Sequence, residues 1–154
     1  MHKSASRAPS IGRDDLIGAW SLVEWQILDP CDDRVHYPFG NDAIGLLCYT
    51  PDGMMNASIA RSTREALPAG SPRNANQAAQ AEAFSTYFNY AGRFEMRGTS
   101  VLHHVQLALN PAMVGTVQLR EAVLEDQILQ LKGVESIGTE RQRTHILTWR
   151  KQAQ

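Results

Sequence analysis

The sequence predicts an all-β domain in which about eight antiparallel strands close into a barrel, with one inserted helix. Short apolar segments with partial polar alternation recur along the chain, which is typical of half-buried strands. Turns rich in Pro, Gly, Asp or Asn separate most of these segments and favour hairpin connections. Closure into a barrel is favoured because it removes edge strands, which this sequence does little else to protect.

The strands are predicted in chain order from runs of apolar and β-forming residues. The first extends from Trp20 to Leu28, where apolar and polar residues alternate imperfectly. Pro51 presets φ and Gly53 accepts a positive φ, so the turn around Asp52 joins two strands as a hairpin. Residues 97–100 and 125–126 form similar turns. The complete set of predicted strands is 20–28, 44–50, 54–59, 93–96, 101–109, 117–124, 127–131 and 144–150.

One segment of the chain predicts a helix. Residues 61–76 carry Arg, Ser, Pro and Gly and are expected to form a loop. The segment from about Asn76 to Phe88 is rich in alanine, the best helix former. Its aromatic end is expected to dock on the core through Phe84, Tyr87, Phe88 and Tyr90.

Length and composition favour one small domain. The chain has 154 residues, and we expect a mobile tail at 1–14 followed by a single domain at 15–152. Lys and Arg number 15 and Asp and Glu 16, so no basic surface indicates a nucleic-acid or membrane partner. No secretory signal or long apolar segment is present, and Cys31 and Cys48 form no disulfide framework. These features predict a cytoplasmic protein with reduced thiols.

Several segments resemble a known family. Gly18-Ala19-Trp20 opens the first strand and Trp149-Arg150 closes the last, which is similar to the lipocalin or calycin pattern. The chain from about Leu16 to Lys151 resembles the bacterial and fungal lipocalin-like domain family in four further segments: HYPFG at 36–40, GLLCYTPDG at 45–53, YAGRFE at 90–95 and VLHHV at 101–105.

The resemblance implies a lipocalin-like β-barrel with one closed and one open end. It also implies that Trp20 packs beside the late arginine, Arg150, at the closed end, as a guanidinium over an indole ring. Members of the family are often small stand-alone barrels, and a number occur among natural-product biosynthesis enzymes. In such a barrel the predicted helix has two possible places: it caps the open end as a lid, or it packs against the barrel wall.

The adjacent histidines His103 and His104 lie within an apolar run. Successive residues of a strand face opposite sides. His103 shares its side with Val101, Val105 and other apolar residues, so we expect it to point into the barrel and His104 to point outward. The other histidines, His2, His36 and His145, lie on the tail, a loop and the final strand. Because a catalytic metal needs about three converging ligands, we expect no metal site.

An inward His103 has two interpretations. It is a core histidine whose ring nitrogens bond to neighbouring groups, or it is a polar group in a ligand cavity. In the second case its ordinary pKa of about 6.5 makes it the best candidate for a general acid or base.

Arg120 and Tyr49 are the other candidate catalytic residues. On pattern alone, Arg120 faces solvent; facing inward, it would bind an oxyanion through its fixed set of donors. If the opposite side faces inward, Glu121 becomes a candidate base. Tyr49 either lines the cavity, with its hydroxyl as a hydrogen-bonding group, or packs under the helix. The candidate ligand-binding residues are Trp25, Met55, Tyr90, Phe94 and Val105, although such residues are often simple core.

Three functions are consistent with these features. The leading hypothesis is a cofactor-free enzyme that holds an apolar small molecule and performs a non-redox step, namely cyclisation, isomerisation or dehydration, in natural-product biosynthesis. No nucleophile motif, phosphate-binding loop or redox-cofactor motif is present in the sequence. The alternatives are a carrier that binds a hydrophobic ligand unchanged, and an assembly module with a filled barrel that forms a homodimer.

Overall fold

The structure is a computed structural model, and it describes residues 10–68, 70–136 and 138–153. Within these residues the chain forms nine strands, two α-helices and two short 3-10 turns, at Pro72–Asn74 and Pro111–Met113. The helices are α1 (Arg13–Leu16) and α2 (Gln77–Ser85). The strands are β1 (Gly18–Asp29), β2 (Asp32–His36), β3 (Ile44–Tyr49), β4 (Met54–Ala60), β5 (Tyr87–Arg97), β6 (Ser100–Ala108), β7 (Val117–Glu125), β8 (Ile128–Glu135) and β9 (Arg143–Lys151).

Eight of the strands close into an antiparallel barrel, which confirms the predicted fold class. Each strand from β3 to β8 pairs with the next, and β1 pairs with both β3 and β9. The closing pair runs from Trp20 opposite Lys151 to Leu28 opposite Thr144. The ninth strand, β2, pairs only with the far end of β1. This strand includes His36, for which the sequence predicts a loop. The prediction fails because β2 has a charged sequence without an apolar pattern, and it forms a strand only by pairing with the β1 backbone.

The closed end of the barrel is filled by α1 and Trp20. Leu16 and Trp20 are fully buried, and the indole Nε1 of Trp20 donates to the carbonyl oxygen of Leu16 at 2.9 Å. The cation over the Trp20 ring is Lys151, whose Nζ lies 5.0 Å from the ring centroid. The prediction of Arg150 as this partner was wrong: Arg150 lies opposite Ser21 and is exposed, because alternation along β9 turns it outward.

The predicted helix is shorter than expected, and its aromatic end belongs to a strand. Helix α2 ends at Ser85, and β5 begins at Tyr87, so the strand predicted at 93–96 starts six residues earlier. Phe88 lies opposite Ile59 and Tyr90 opposite Ala57 on β4. Aromatic residues favour strands, and pairing with β4 overrides the helical propensity of the preceding alanines. Phe84 remains in the helix and is 51% exposed rather than docked on the core.

The segment expected to be a mobile tail contributes to the core where the structure describes it. Ile11 is buried in the core cluster, and α1 begins at Arg13. The rest of the predicted tail, residues 1–9 with His2, lies outside the described residues. None of the helices in the described part of the chain is long and apolar enough to cross a membrane.

The contact between β5 and β6 depends on a glycine. The register of this pair shifts between Ala91 and Gly92. A Cβ atom built on Gly92 would overlap the backbone carbonyl oxygen of His104 on β6. The two backbones therefore approach more closely than any side chain at position 92 permits.

We predict that Gly92→Ala destabilises the protein by more than about 3 kcal/mol, since the colliding atoms are backbone and cannot move aside. Gly98→Ala, at the tip of the same hairpin, is the matched control. Gly98 has φ 61, and a Cβ atom built on it would meet no atom within 4 Å. The cost there is therefore limited to backbone strain of about 1–2 kcal/mol. Urea denaturation of both variants measures the difference, and equal unfolding midpoints would contradict the prediction.

Candidate functional site

The barrel encloses a cavity of about 400 Å³. Aromatic and aliphatic side chains form most of its wall, including Trp25, Phe88, Leu131, Leu147 and Trp149. The polar side chains that reach it are Tyr90, His103, Asn110, Gln118, Arg120, Glu135 and His145. An apolar cavity with a few placed polar groups is typical of small-molecule sites.

The two adjacent histidines face opposite sides of the barrel, as strand alternation predicts. His103 is 1% exposed and lines the cavity. His104 points outward, with its side chain 43% exposed and its Nε2 3.5 Å from a carboxylate oxygen of Glu95. Among the described residues, no group of three His, Cys, Asp or Glu side chains is placed to hold a metal ion.

Both ring nitrogens of His103 are hydrogen-bonded to buried tyrosines. Nε2 lies 2.7 Å from the hydroxyl oxygen of Tyr49, and Nδ1 lies 2.7 Å from the hydroxyl oxygen of Tyr90. Tyr49, His103 and Tyr90 thus form a hydrogen-bonded row whose members come from three strands. Tyr49 ends β3, Tyr90 lies near the start of β5, and His103 is on β6 opposite Phe94. Tyr49 is therefore inside the barrel but behind His103, and it does not line the cavity.

The hydrogen-bond directions in this row follow from the surroundings of Tyr49. Its hydroxyl is buried and, within the described residues, has His103 Nε2 as its one partner. A buried hydroxyl hydrogen without an acceptor costs about 1–3 kcal/mol. Tyr90 lines the cavity, where a ligand can accept its hydrogen, and Tyr49 does not, so we assign the ring hydrogens such that Tyr49 donates to Nε2. His103 then carries its hydrogen on Nδ1 and donates to Tyr90. The hydroxyl hydrogen of Tyr90 remains free to donate to a group in the cavity.

Burial keeps all three members of this row uncharged. It raises the pKa of both Tyr49 and Tyr90, although the nearby charge of Arg120 acts in the opposite direction. Burial, followed by the charges of Arg120 and His104, lowers the pKa of His103 to about 3. The ordinary histidine pKa on which the acid–base hypothesis rests does not apply at this position. His103 instead fixes the position of the Tyr90 hydroxyl.

Arg120 points into the barrel, so the expectation that it faces solvent was wrong. It lies opposite Val101 of β6, lines the cavity and is half-buried. The outward side of β7 holds Val117, Leu119, Glu121 and Val123, all exposed, so Glu121 cannot act as a base inside. The pattern misleads because the inward side of β7 lines a cavity with polar groups, whereas the outward side keeps exposed apolar residues.

Hydrogen bonds hold the Arg120 guanidinium without neutralising it. Nη1 donates to the carbonyl oxygen of Leu119 at 2.9 Å, and Nη2 donates to Oε1 of Gln118 at 3.3 Å. Gln118 in turn donates to Thr116, which donates to the carbonyl oxygen of Met113. None of the ion pairs among described residues includes Arg120. The cavity wall therefore carries a guanidinium that forms no ion pair among the described residues, although the carboxylate of Glu135 also lines the cavity.

His145, which is hydrogen-bonded to Trp25, is a second polar group at the cavity that the sequence did not predict. Trp25 Nε1 donates to Nδ1 of His145 at 3.1 Å, which places the hydrogen of the neutral ring on Nε2. Nε2 lies 3.3 Å from Oε2 of Glu135, but the N–H is not aligned for a good hydrogen bond. Burial, together with the charges of Arg120 and Arg143, lowers the pKa of His145, although Glu135 acts in the opposite direction. Alternation along β9 would have found this residue, because His145, Leu147 and Trp149 share one side.

The remaining predicted site residues fall into two groups. Trp25 and Tyr90 line the cavity. Met55, Phe94 and Val105 are buried in the core but are not part of the cavity wall. Phe94, for example, packs against Tyr49 with ring centroids 4.7 Å apart and lies under the guanidinium of Arg13.

Helix α2 is neither the lid nor the packed helix that the sequence suggested. Its residues do not line the cavity, and none of them is buried. It is held through its ends: Asn76 accepts from the backbone N–H of Ala79, and Arg64 donates to the carbonyl oxygen of Ala83. The cavity is therefore bounded by the barrel strands and the turn at Pro111–Met113.

Comparison with known proteins supports the family suggested by the sequence. The model of a family described as "lipocalin-like domain" matches residues 17–152, which is nearly the whole domain. No curated protein matches the chain.

We predict that His103 makes stability depend on pH. The unfolded chain protonates this ring near its ordinary pKa of about 6.5, whereas the folded protein does so only near 3. Between these values the unfolded state binds more protons, so stability is complete above the unfolded pKa. It then falls with pH by up to about 1.4 kcal/mol per unit.

His103→Gln should lose this part of the pH dependence, and His104→Gln, the exposed neighbour, should keep it. Urea unfolding of both variants and the parent protein between about pH 7 and pH 5 measures the slopes. An unchanged slope in His103→Gln would show that the ring is not held neutral.

Proposed function

Since this chain belongs to the lipocalin-like domain family, whose barrel suits small hydrophobic ligands, we propose that it binds an apolar small molecule that carries an anionic or carbonyl oxygen. We further propose that it converts this molecule in a cofactor-free, non-redox step. Arg120 and Tyr90 would hold the oxygen, while the aromatic wall would hold the apolar part.

The unpaired guanidinium of Arg120 is the observation that carries this proposal. A charge that is partly removed from water, as on the half-buried Arg120, is unfavourable unless it is paired or hydrogen-bonded. Two of the donors of Arg120 are occupied by Leu119 and Gln118, and no carboxylate among the described residues forms an ion pair with it. A ligand oxygen with negative or partial negative charge would supply the missing partner, with short charge-assisted hydrogen bonds.

Tyr90 adds a neutral donor beside this charge. Its hydroxyl is within reach of the Arg120 guanidinium, and its hydrogen is left free by the bond from His103 Nδ1. Two donors aimed at one oxygen stabilise the negative charge that develops on a carbonyl during enolisation or ring closure. Because both groups are fixed by hydrogen bonds before a ligand arrives, they need little rearrangement during the reaction.

The reaction classes that fit are isomerisation, cyclisation and dehydration of a carbonyl compound. In the enolate route to each of them a C–H bond breaks, its electron pair moves onto the carbonyl oxygen, and the proton passes to a base. The carboxylate of Glu135, which lines the cavity, would be the group that accepts this proton. The apolar wall around Trp25, Phe88 and Trp149 would exclude water and hold the substrate in a reactive conformation. A place in natural-product biosynthesis is proposed on the family resemblance alone.

A carrier is the second candidate, and one observation favours it. Both ring nitrogens of His103 are already bonded to tyrosines. This side of the cavity therefore offers donors to a ligand but no free base, which suffices for binding an oxyanion. A carrier would release its ligand unchanged, whereas an enzyme would release a different compound.

We predict that freshly purified protein retains about one small molecule per chain, and that this molecule carries a carboxylate, enol or carbonyl group. Native mass spectrometry followed by extraction and identification tests this. A time course with the identified compound then separates an enzyme from a carrier.

Arg120→Leu should weaken binding of that compound by about 10–100-fold, the range expected for losing charge-assisted hydrogen bonds. Arg150→Leu makes the same chemical change on the exposed face of the barrel and is the matched control. Equal affinities for the Arg120 variant and the parent protein would overturn the proposed role of the guanidinium.

A further inference from the structure

We propose that Gly133 determines which ligands the cavity accepts, because the absence of a side chain there allows Arg120 to present its charge to the cavity. The inference rests on the proposed function and extends it by a residue that has no side chain with which to contact a ligand. In this role Gly133 is a positioning residue: it acts on the ligand through Arg120.

The Arg120 guanidinium lies across the backbone of Gly133. A Cβ atom built on Gly133 would be 2.5 Å from Nη1, 2.7 Å from Cζ and 2.8 Å from Nε of Arg120. These are the three nearest atoms, and all belong to the guanidinium. Non-bonded carbon and nitrogen atoms do not approach this closely, so the observed position of Arg120 requires glycine at 133.

The backbone itself does not require glycine at this position. Gly133 lies in the regular part of β8 and is not among the residues with positive φ. It lies opposite His145 of β9, and it directly follows Lys132, which is opposite Glu121 of β7. A β-branched or aliphatic residue would suit such a strand position better than glycine. The space occupied by Arg120 therefore explains the glycine.

Gly133 lies between the two polar groups of the cavity, Arg120 and His145. Arg120 reaches over Gly133 from β7, and His145 faces Gly133 from β9. The charge of Arg120 affects the pKa of His103 on one side and of His145 on the other. A side chain at 133 would fill the space between Arg120 and His145, and the guanidinium would have to move away.

The fold should tolerate such a side chain. The colliding atoms are the far end of a long, flexible side chain, whereas at Gly92 they are backbone. Gly133→Ala is therefore expected to displace Arg120 rather than unfold the barrel. The variant cavity would keep its apolar wall but lose its positive charge, so its preference would shift from anionic to neutral ligands of the same shape.

Two fluorescent dyes with the same aromatic skeleton test this: anilinonaphthalenesulfonate, which is anionic, and phenylnaphthylamine, which lacks the sulfonate. Gly133→Ala and Arg120→Leu should each weaken binding of the anionic dye by about 10–100-fold, as expected for lost charge-assisted hydrogen bonds. Binding of the neutral dye should change by less than about threefold in both variants, because the apolar wall is retained. A general loss of packing in Gly133→Ala would instead weaken binding of both dyes.

The double variant Arg120→Leu/Gly133→Ala provides the control, since residues that act through one contact are not additive. It should bind both dyes like Arg120→Leu alone. If Gly133→Ala does not fold, recovery of folding in the double variant supports the collision with Arg120, and continued unfolding overturns it.

The outcomes separate the inference from the proposed function. If Arg120→Leu weakens binding of the anionic dye and a folded Gly133→Ala does not, the role of Gly133 is overturned while the role of Arg120 stands. If neither variant changes binding of the anionic dye, the proposed ligand chemistry fails and the inference fails with it.

Discussion

The alternation of side chains along paired strands is the constraint on which the site depends. In a closed barrel every second residue of each strand must face the interior, and any polar group there must find a partner or a ligand. His103 meets this requirement with two tyrosines, and Arg120 meets it only in part. The hydrogen bonds of His103 therefore form a structural network, whereas Arg120 keeps donors that are available to a ligand.

The barrel and its order of strands could be predicted from local pattern because most neighbours are joined by short turns with characteristic residues. The errors occur where a local pattern is overruled by pairing. Residues 32–36 have no apolar alternation, yet they form β2 because the backbone of β1 is available beside them. Tyr87 and Phe88 continue an alanine-rich helix in sequence, but pairing with β4 makes them strand residues.

The candidate site was predictable where one side of a strand is clearly apolar, as around His103. It was not predictable on β7, because a cavity wall with placed polar groups resembles a solvated face. The hydrogen-bond partners of the polar groups in the cavity could not be predicted from the sequence either. Trp25 and His145 are 120 residues apart, and only closure of the barrel between β1 and β9 brings them together. Likewise, nothing local to Gly133 indicates that Arg120 lies across it.

The same closure has a consequence for how the protein folds. The pair between β1 and β9 joins residues at opposite ends of the domain, so its contacts have the greatest sequence separation in the barrel. Contacts of this kind are entropically expensive to form and are typical of domains that fold in milliseconds to seconds. During synthesis, the edge of β1 that pairs with β9 stays open until Arg143–Lys151 has left the ribosome, and throughout that interval it is available for wrong pairing.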